Sequence, residues 1–447
     1  MKNTKDIISH LKDKGFVYSG SSIYGGLANS WDFGPLGSIL KDNIKTEWKR
    51  FFIDQEPNTF HLDSGIILNP KVWEASGHVG KFNDPMVDCK ECKTRFRADH
   101  LIEESKDINA DNLSFEEQTK IINKEIDCPS CGKNNWTEVR AFELMFKTSG
   151  SKTGDEETLY LRPETAQGIF INFKNVVDTS NPKIPFGIGQ VGKAFRNEVT
   201  PGNFIFRTKE FEQLELEFFL YESESDKWFE YFTNKINDFL TKNLGISKEN
   251  IIEYNVPGDS LAHYSKRTID FEYKFPFGNG ELLGLADRGN YDLSNHNLEF
   301  NDQAKGKKYI PNVIETSMGV ERLLFALSCE FLVDEKDEDG KRTVFKLPYV
   351  LAPYKASVMP LTNKQDAEAE KLFRDLLKSN IGPITYTKSG TIGKRYRKQD
   401  SIGTMFSITY DFDSLEDKKV TIRHRDTMEQ ERVFIKDIEK YIINNAK

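Results

Sequence analysis

The clearest alternation of apolar and polar residues lies between residues 193 and 221, and it predicts a β-hairpin. Branched and aromatic residues form one strand to about Val199, a loop holds Pro201 and Gly202, and a return strand begins at about Lys209. Because successive side chains of a strand point to opposite faces, the return strand has an apolar face and a carboxylate-rich face. The apolar face comprises Leu214, Leu216 and Phe218, and the polar face comprises Gln213, Glu215 and Glu217.

Three further charged residues stand beside the polar face of this hairpin. Arg196 and Glu198 lie on the first strand, and Arg207 lies in the loop. A charged front on an apolar back is typical of a solvated sheet, but the same cluster is able to receive an anionic phosphate and a cationic amine. The alternation alone leaves both interpretations open.

The glycines at the start of the hairpin match two nucleotide-binding motifs. In GIGQVGK, Gly187, Gly189 and Gly192 satisfy G-x-G-x-x-G, and Gly187, Gly192 and Lys193 satisfy G-x-x-x-x-G-K. Both motifs need a helix directly after them, because the phosphate rests on the N-terminal amides of that helix. Since the pattern predicts a hairpin instead, both phosphate-loop interpretations fail.

The segment from Gly37 to Ile53 predicts an amphipathic helix. Its apolar residues recur at helical spacing, and Lys41, Lys45 and Lys49 line another face at intervals of four. So wide an apolar face fits either a protein core or a helix that packs against a second subunit. The sequence does not separate the two.

A charged run at residues 334–344 predicts a linker. Strand-like and helix-like patterns alternate after it, which predicts an α/β domain of about 100 residues. The strands are predicted at 349–361, 405–412 and 420–425, and the helices at 366–380 and 434–445.

The chain has 447 residues, enough for two or three domains, and the composition of a soluble globular protein. No apolar run approaches the roughly 18 to 20 residues that cross a bilayer, and the first residues hold no secretory segment, so we expect no membrane and a cytoplasmic location. Residues 345–447 carry 19 basic against 14 acidic side chains, whereas the remainder carries 43 against 56. This imbalance suggests a polyanionic partner, although ordinary surface variation also produces it.

Four of the five cysteines form two C-x-x-C pairs, Cys89/Cys92 and Cys128/Cys131. The second pair lies in CPSCG, whose proline and glycine favour a tight turn. Two such pairs in one segment favour a structural zinc site with four thiolates over a redox pair. Between the pairs, the capping box that Ser114 begins predicts a helix.

The motifs FRNE (195–198) and FRTKEFEQLELEFF (206–219) resemble motif 2 of the class II aminoacyl-tRNA synthetases, and the match to the dimeric glycyl-tRNA synthetases runs nearly end to end. The other matching stretches are IYGGLANSWDFGPLGSILKDNIKTEW (23–48, with motif 1), NPKVWEASGHVGKFNDPM (69–86), FRADHL (96–101), LRPETAQGIF (161–170), IPNVIETSMGVERLLFAL (310–327, motif 3) and TIGKRYRKQDSIGT (391–404). The chain departs from the family at Thr316, where proline is usual, and at Asn279 and Leu283, where tryptophan is common. It also has Glu321 where aspartate or glycine usually precedes the motif 3 arginine.

The resemblance implies an α+β fold with a class II synthetase antiparallel-sheet catalytic domain, a small zinc-binding insertion and a C-terminal α/β anticodon-binding domain. The implied boundaries are 1–88 and 141–333 for the catalytic domain, 89–140 for the insertion, 334–344 for the linker and 345–447 for the anticodon-binding domain. It also implies a homodimer through motif 1, with Pro35 at the dimer-forming turn, and a helix that begins near Gly319 in motif 3.

The reaction implied by the resemblance joins glycine to ATP, releases pyrophosphate and passes glycine to tRNA(Gly), with dinucleoside polyphosphates as a side product. Arg196, Glu198 and Arg322 are the implied catalytic residues. Arg196 bridges the carboxylate and the α-phosphate, Arg207 holds the outer phosphates, and Arg322 covers the adenine opposite Phe211. Glu281 is implied as a ligand of the Mg²⁺ that accompanies ATP. The implied ATP-binding residues are Arg196, Asn197, Glu198, Phe206, Arg207, Thr208, Phe211, Glu281, Leu282, Gly319 and Arg322.

Glycine has no side chain, so a selective site must hold its ammonium and carboxylate and leave no space at Cα. The residues implied by resemblance for this site are Arg97, Glu164, Phe211, Gln213, Glu215, Glu315, Ser317 and Gly319. The implied tRNA contacts are Lys394, Arg395, Tyr396, Arg397 and Lys398. Basic groups with an aromatic ring among them suit phosphates and an unstacked base, and a solvated face is the alternative.

Two other functions fit part of these observations. A class II synthetase for serine, proline or threonine would lack the combination of FRTKEFEQ, RPETAQG and IYGGL. A synthetase-like, non-enzymatic subunit that binds nucleic acid would have lost charges that Arg196, Arg207 and Arg322 retain here.

Overall fold

A computed structural model describes residues 2–106, 108, 110, 113–152, 155–198, 202–303, 305–337 and 340–446. Val199 and Pro201 of the predicted hairpin lie outside these residues. The helices are α1 Thr4–Asp13, α2 Pro35–Lys49, α3 Pro70–Ala75, α4 His78–Lys81, α5 Ala98–Lys106, α6 Phe115–Glu125, α7 Ala166–Ser180, α8 Ser225–Asp238, α9 Tyr291–Asn295, α10 Val320–Phe331, α11 Asp366–Leu376, α12 Ile392–Ile402, α13 Ser414–Asp417 and α14 Ile438–Asn444.

The strands are short in the insertion and long in the central sheet. They are β1 Val17–Ser19, β2 Trp31–Phe33, β3 Thr59–Leu62, β4 Asn83–Asp88, β5 Arg95–Arg97, β6 Arg140–Glu143, β7 Lys147–Lys152, β8 Asp155–Tyr160, β9 Phe186–Phe195, β10 Glu210–Leu220, β11 Ile251–Asn255, β12 Arg267–Phe275, β13 Gly278–Gly289, β14 Phe300–Asp302, β15 Lys307–Tyr309, β16 Asn312–Gly319, β17 Leu332–Asp337, β18 Gly340–Phe345, β19 Ala356–Pro360, β20 Ile384–Tyr386, β21 Phe406–Tyr410, β22 Lys419–His424 and β23 Gln430–Phe434. Within the described residues, no helix is both long and apolar enough to cross a membrane.

A seven-stranded sheet of order β11-β12-β13-β16-β10-β9-β3 organises the larger part of the chain. Its neighbours are antiparallel except for β3, which runs parallel to β9. The predicted hairpin is formed by β9 and β10, in which Glu215 pairs with Gln190. The hairpin prediction is therefore confirmed, and the glycines of β9 belong to a strand. The first strand is shorter than predicted: β9 ends at Phe195, so Arg196 and Glu198 follow the strand instead of lying on it.

The apolar face of β10 packs into the main core with α2, α8 and α10. The predicted helix is confirmed as α2, which wider turns extend from Arg50 to Asp54. Gly37 is required there, because a Cβ at this position would lie 1.9 Å from the carbonyl oxygen of Phe16. Lys41, on the predicted lysine face, is nearly fully buried, with only 8% of its surface exposed.

The insertion has its own small core between the three-stranded sheet β5-β4-β6 and helices α5 and α6. The predicted capping box is present: the backbone N–H of Glu117 donates to Ser114 Oγ, and that of Ser114 donates to the Glu117 carboxylate. The helix prediction in the insertion is therefore confirmed as α6.

The C-terminal region holds a five-stranded sheet of order β20-β19-β21-β22-β23, in which β19 is parallel to both of its neighbours. The predicted strands and helices of this region correspond to β19, β21, β22, α11 and α14. The sequence pattern missed β20, β23 and α12.

The linker predicted at 334–344 is wrong: apart from residues 338 and 339, which lie outside the described part, this segment pairs as the antiparallel strands β17 and β18. The charges that suggested a solvated linker are largely paired, since Arg342 is buried and its guanidinium lies 3.3 Å from the Asp400 carboxylate. Phe345 and Leu347 continue directly into the main core. The C-terminal region thus shares the main core of the larger part of the chain rather than being tethered to it.

Candidate active site

A cleft opens on the polar face of β10, between the β9–β10 hairpin and the start of α10. Its lining includes Arg196, Glu198, Phe206, Arg207, Thr208, Phe211, Gln213, Glu281, Leu282, Ser317, Gly319, Glu321 and Arg322. Every predicted ATP-binding residue except Asn197 is in this set. The side-chain oxygen of Asn197 accepts a hydrogen bond from Lys209 Nζ at 2.8 Å, outside the cleft lining.

Arg196 is held between two aromatic rings at one end of the cleft. Its guanidinium carbon lies 5.4 Å from the ring centroids of both Phe82 and Phe211, and its Nε donates to the carbonyl oxygen of Pro163 at 3.1 Å. Among the described residues, no carboxylate lies within ion-pair distance of this guanidinium. Its charge is therefore fixed in place and available to an anion.

Arg322 occupies the other end of the same cleft, in the first turn of α10. Its guanidinium carbon lies 4.6 Å from the ring centroid of Phe206, and its Nη1 donates to the Glu281 carboxylate at 2.8 Å. The sequence places Phe211 opposite Arg322 across the adenine, and both residues do line one cavity. The ring in direct contact with Arg322 is that of Phe206.

A second cavity adjoins the first and shares Arg196, Gln213, Glu281 and Ser317 with it. We call it the deeper cavity because Glu215 and Glu315 in its lining are buried. Its further lining includes Glu164, Glu215, Tyr264, Asp270, Gly284 and Glu315. The structure therefore brings Glu164, Gln213, Glu215, Glu315 and Ser317 of the predicted glycine set together here, with Phe211 and Gly319 in the adjoining cleft.

The role of Arg97 as a substrate contact stays a prediction. Its guanidinium pairs with Asp99 and lies 3.2 Å from the Asp84 carboxylate, and among the described residues it belongs to the lining of neither cavity. Asp99, two residues later, accepts a hydrogen bond from this side chain. Burial lowers the pKa of the Arg97 guanidinium, but Asp99, Asp84 and the cleft residue Glu198 raise it above its usual value, so Arg97 lies near the cleft.

The wall of the deeper cavity contains more carboxylates than cations. Arg288 is buried and binds Asp292 at 2.7 Å and Glu315, and its guanidinium stacks 3.8 Å from the ring centroid of Tyr264. Glu164 is 3.5 Å from His78. Glu215 in the lining lacks an ion-pair partner among the described residues, and so does Glu217, which has a carboxylate oxygen within 4.8 Å of those of Glu215 and Glu315. The pocket is therefore built to attract a cation.

Burial and like charges set the protonation of these groups. Burial, together with the nearby carboxylates Glu315 and Glu164, raises the pKa of Glu215 to about 8, although hydrogen bonds from Thr165 and Ser317 lower it. Burial and the neighbouring Glu315 also raise the pKa of Glu217 well above its usual value. A bound ammonium group would relieve this repulsion and lower the pKa of Glu215.

A second pair of carboxylates marks the side of the cavities nearest Arg322. Burial, together with Glu281 and Glu272, raises the pKa of Asp270 to about 7. Glu281 and Asp270 approach the same point, since one carboxylate oxygen of each lies within 3.8 Å of the position that a Cβ on Gly284 would take. Two oxygen donors that repel one another form a suitable partial ligand set for Mg²⁺.

Sequence reasoning missed Arg288, Asp292, Glu217 and Asp270. The four-residue spacing of Arg288 and Asp292 is a local signal for an ion pair. Glu217 belongs to the polar face that the alternation had already identified. No local pattern indicates Asp270, because it reaches the site through the pairing of β12 with β13.

The four paired cysteines converge in the insertion. Cys89 Sγ lies 3.7 Å from Cys131 Sγ, and Cys92 Sγ lies 3.7 Å from Cys128 Sγ, with all four sulfur atoms within 4.8 Å of one another. A tetrahedral zinc ion with bonds of ~2.3 Å to thiolates requires sulfur separations of about 3.8 Å. These residues therefore fit zinc, and none of them is in a disulfide.

The predicted tRNA-binding residues lie on α12 but do not share a face. Arg395 is buried, and its guanidinium donates to the carbonyl oxygens of Pro360 and Leu361 at the end of β19. The Tyr396 hydroxyl is 2.7 Å from Thr409 Oγ1. Lys394 and Lys398, one helical turn apart, are exposed. The prediction for Arg395 is wrong, because helical periodicity turns it inward.

Comparisons with known proteins agree with this arrangement. Residues 146–331 match the family model "tRNA synthetase class II core domain (G, H, P, S and T)", residues 355–445 match "Anticodon binding domain", and residues 84–120 match "Glycyl-tRNA synthetase insertion domain 1". A prolyl-tRNA synthetase structure from Cryptosporidium parvum, complexed with halofuginone and AMPPNP, aligns with a TM-score of 0.64 at 14% identity over 98% of this chain and 76% of that one. The fold and the site define a class II aminoacyl-tRNA synthetase.

Full-length relatives narrow this class. The chain is 53% identical to the glycine–tRNA ligase of Malacoplasma penetrans, over 99% of this chain and 98% of that protein. It is 49% identical to the glycine–tRNA ligase of Alkaliphilus oremlandii, over 100% and 99% of the two chains. The chain belongs to the glycine–tRNA ligase family.

Proposed function

We propose that the two adjoining cavities activate glycine with ATP and that the C-terminal region presents tRNA(Gly) to the product. The observation that carries this proposal is that Arg196 lines both cavities. A carboxylate in the deeper cavity and an α-phosphate in the cleft would both reach its guanidinium. The carboxylate oxygen then attacks phosphorus and pyrophosphate leaves, while the fixed cation stabilises the negative charge of the transition state.

The remaining cleft residues take roles in holding ATP. Arg322 and Phe206 form one face for the adenine, and Arg207, which lies 3.8 Å from Glu198, is placed to turn from that carboxylate to the outer phosphates. Glu281 and Asp270 would hold Mg²⁺, which neutralises phosphate charge when it is bound.

Glycine is held in the deeper cavity through its two charged groups. Its ammonium would lie between Glu215 and Glu315, with Glu164 and Ser317 beside it, and its carboxylate would face Arg196. Larger amino acids are excluded if the space at Cα is filled.

The test of this proposal is ATP–pyrophosphate exchange measured with each of the standard amino acids. We expect exchange with glycine alone. Exchange with serine, proline or threonine, or no exchange with any amino acid, would contradict the proposal, and the last result would favour a non-enzymatic nucleic-acid-binding protein.

We further propose that Cys89, Cys92, Cys128 and Cys131 hold structural zinc. We expect one zinc ion per chain by elemental analysis, and loss of that zinc with a lower Tm in Cys128→Ser, because a structural site stabilises only the folded insertion. Cys329→Ser is the matched control: Cys329 is buried in α10, outside the cluster, and this variant should retain the metal. Equal zinc content in both variants would refute the assignment.

Residues 345–447 are proposed to bind tRNA, with Lys394 and Lys398 as phosphate contacts. Replacing both lysines by alanine should raise the KM for tRNA in charging about tenfold and leave pyrophosphate exchange unchanged, because only phosphate contacts are lost. The control replaces two other exposed lysines, Lys371 on α11 and Lys378 just after its end. An equal effect of the two pairs would count against a specific surface on α12.

We propose a homodimer that buries the segment before and along α2, since Ile23, Tyr24 and Leu27 have 85%, 86% and 60% of their surfaces exposed. We also propose a cytoplasmic location, which the family supports.

A further inference from the structure

Glu321 directly precedes Arg322, the arginine proposed to contact adenine, but its own side chain is shielded from solvent. It is buried, with 3% of its surface exposed, and one carboxylate oxygen accepts from Lys41 Nζ at 2.5 Å. The other oxygen accepts from the backbone N–H of Glu212 at 3.0 Å. Lys41 also lies 2.8 Å from the Glu212 carboxylate and 4.1 Å from the ring centroid of Phe33. We call Lys41, Glu212 and Glu321 the buried triad.

The buried triad joins three separate elements of the fold. Lys41 belongs to α2, Glu212 to β10 and Glu321 to α10. The pairing of β10 with β16 ends at Gln213 and Gly319, so the next N–H on β10 has no backbone partner on β16. The Glu321 carboxylate accepts a hydrogen bond from that N–H, which belongs to Glu212, and thereby fixes the start of α10 against the N-terminal end of β10.

Each carboxylate of the triad is next in sequence to a residue of the ATP cleft. Glu321 precedes Arg322, and Glu212 follows Phe211, which contacts Arg196. The bond between Glu321 and Glu212 therefore sets the separation of the two cleft walls. Lys41 neutralises both carboxylates, since a buried carboxylate without a partner would be strongly unfavourable.

We propose that Glu321, held by Lys41, is a positioning residue that sets the width of the ATP cleft between Phe211 and Arg322. This inference rests on the proposed function of the cleft. Loss of the contact separates the walls that hold ATP but leaves Glu215 and Glu315 in place. The deeper cavity should therefore keep its affinity for glycine.

The test is pyrophosphate exchange by the full chain with Glu321→Gln and Lys41→Met, with ATP and glycine varied separately. We expect the KM for ATP to rise about tenfold in each, which corresponds to about 1.4 kcal/mol, and the KM for glycine to stay within about twofold. The double variant should have a KM for ATP no higher than that of the more impaired single variant, because both substitutions disrupt the same buried triad. Lys45→Met is the matched control. Lys45 is half-buried on α2 and binds Glu212 and Asp42, but among the described residues it forms no ion pair with Glu321, so the variant should change the KM for ATP less than about twofold.

Equal increases in both KM values, or an ATP effect of Lys45→Met as large as that of Lys41→Met, would overturn the inference. Should Glu321→Gln fail to fold, the comparison of Lys41→Met with Lys45→Met decides the matter alone. If the proposed function itself is wrong, the unaltered protein will show no glycine-dependent pyrophosphate exchange, and this result differs from every outcome given above for the variants.

Discussion

Replacing Arg196 by alanine is expected to lower kcat for glycine-dependent pyrophosphate exchange about a thousandfold, or roughly 4 kcal/mol of transition-state stabilisation. The reason is that this guanidinium is held by Phe82, Phe211 and Pro163 and has no carboxylate partner among the described residues. Of the four described residues that line both cavities, Arg196 is the one with a positive charge. The measurement is exchange at saturating ATP and glycine.

Lys193→Ala serves as the control for this variant. Lys193 lies on β9, three residues before Arg196, but is exposed and paired with Glu210, so its loss should leave exchange unchanged. Should Arg196→Ala keep more than about a tenth of the exchange rate, the proposed bridge between carboxylate and phosphate would be wrong.

Replacing Glu215 by glutamine is expected to raise the KM for glycine about 100-fold above pH 8, with little change in the KM for ATP, because a charged partner of the ammonium becomes neutral. A carboxyl group with a raised pKa is neutral below that pKa and charged above it. Since the pKa of Glu215 is about 8 in the free protein, the KM for glycine of the unaltered protein should fall as the pH rises from 6 to 8.

The variant should lose this pH dependence, so the difference between the two proteins should shrink as the pH falls toward 6. Glu210→Gln, at the exposed end of the same strand, should retain the pH dependence of the unaltered protein. A KM for glycine that is flat with pH in the unaltered protein, or an equal rise in the KM for ATP, would contradict the role given to Glu215.

Local patterns predicted those parts of the molecule that local physics determines. The period-two alternation identified β9 and β10 and excluded both phosphate loops, because a strand and a helix cannot follow the same glycines. The capping box located α6, and the cysteine spacing indicated the cluster. The resemblance then supplied roles for residues that periodicity could only place on a face.

The errors and omissions concern contacts between residues far apart in sequence. Arg395 belongs to a run that resembles a basic surface, yet helix α12 turns it toward the end of β19. The charged residues of 334–344 are paired with partners such as Asp400 that the local sequence does not reveal. The ion pair between Arg288 and Glu315 depends on the register between β13 and β16. This register places Asp287 opposite Ile314 and so brings Arg288 close to Glu315.

The most direct test of the central claim is a crystal structure with a non-hydrolysable glycyl-adenylate analogue. We expect the Arg196 guanidinium to donate at about 2.7–3.2 Å both to the glycyl carbonyl and to the group that replaces the α-phosphate, with the ammonium between Glu215 and Glu315. An analogue whose ammonium points out of the deeper cavity, or that binds without contact to Arg196, would contradict the account.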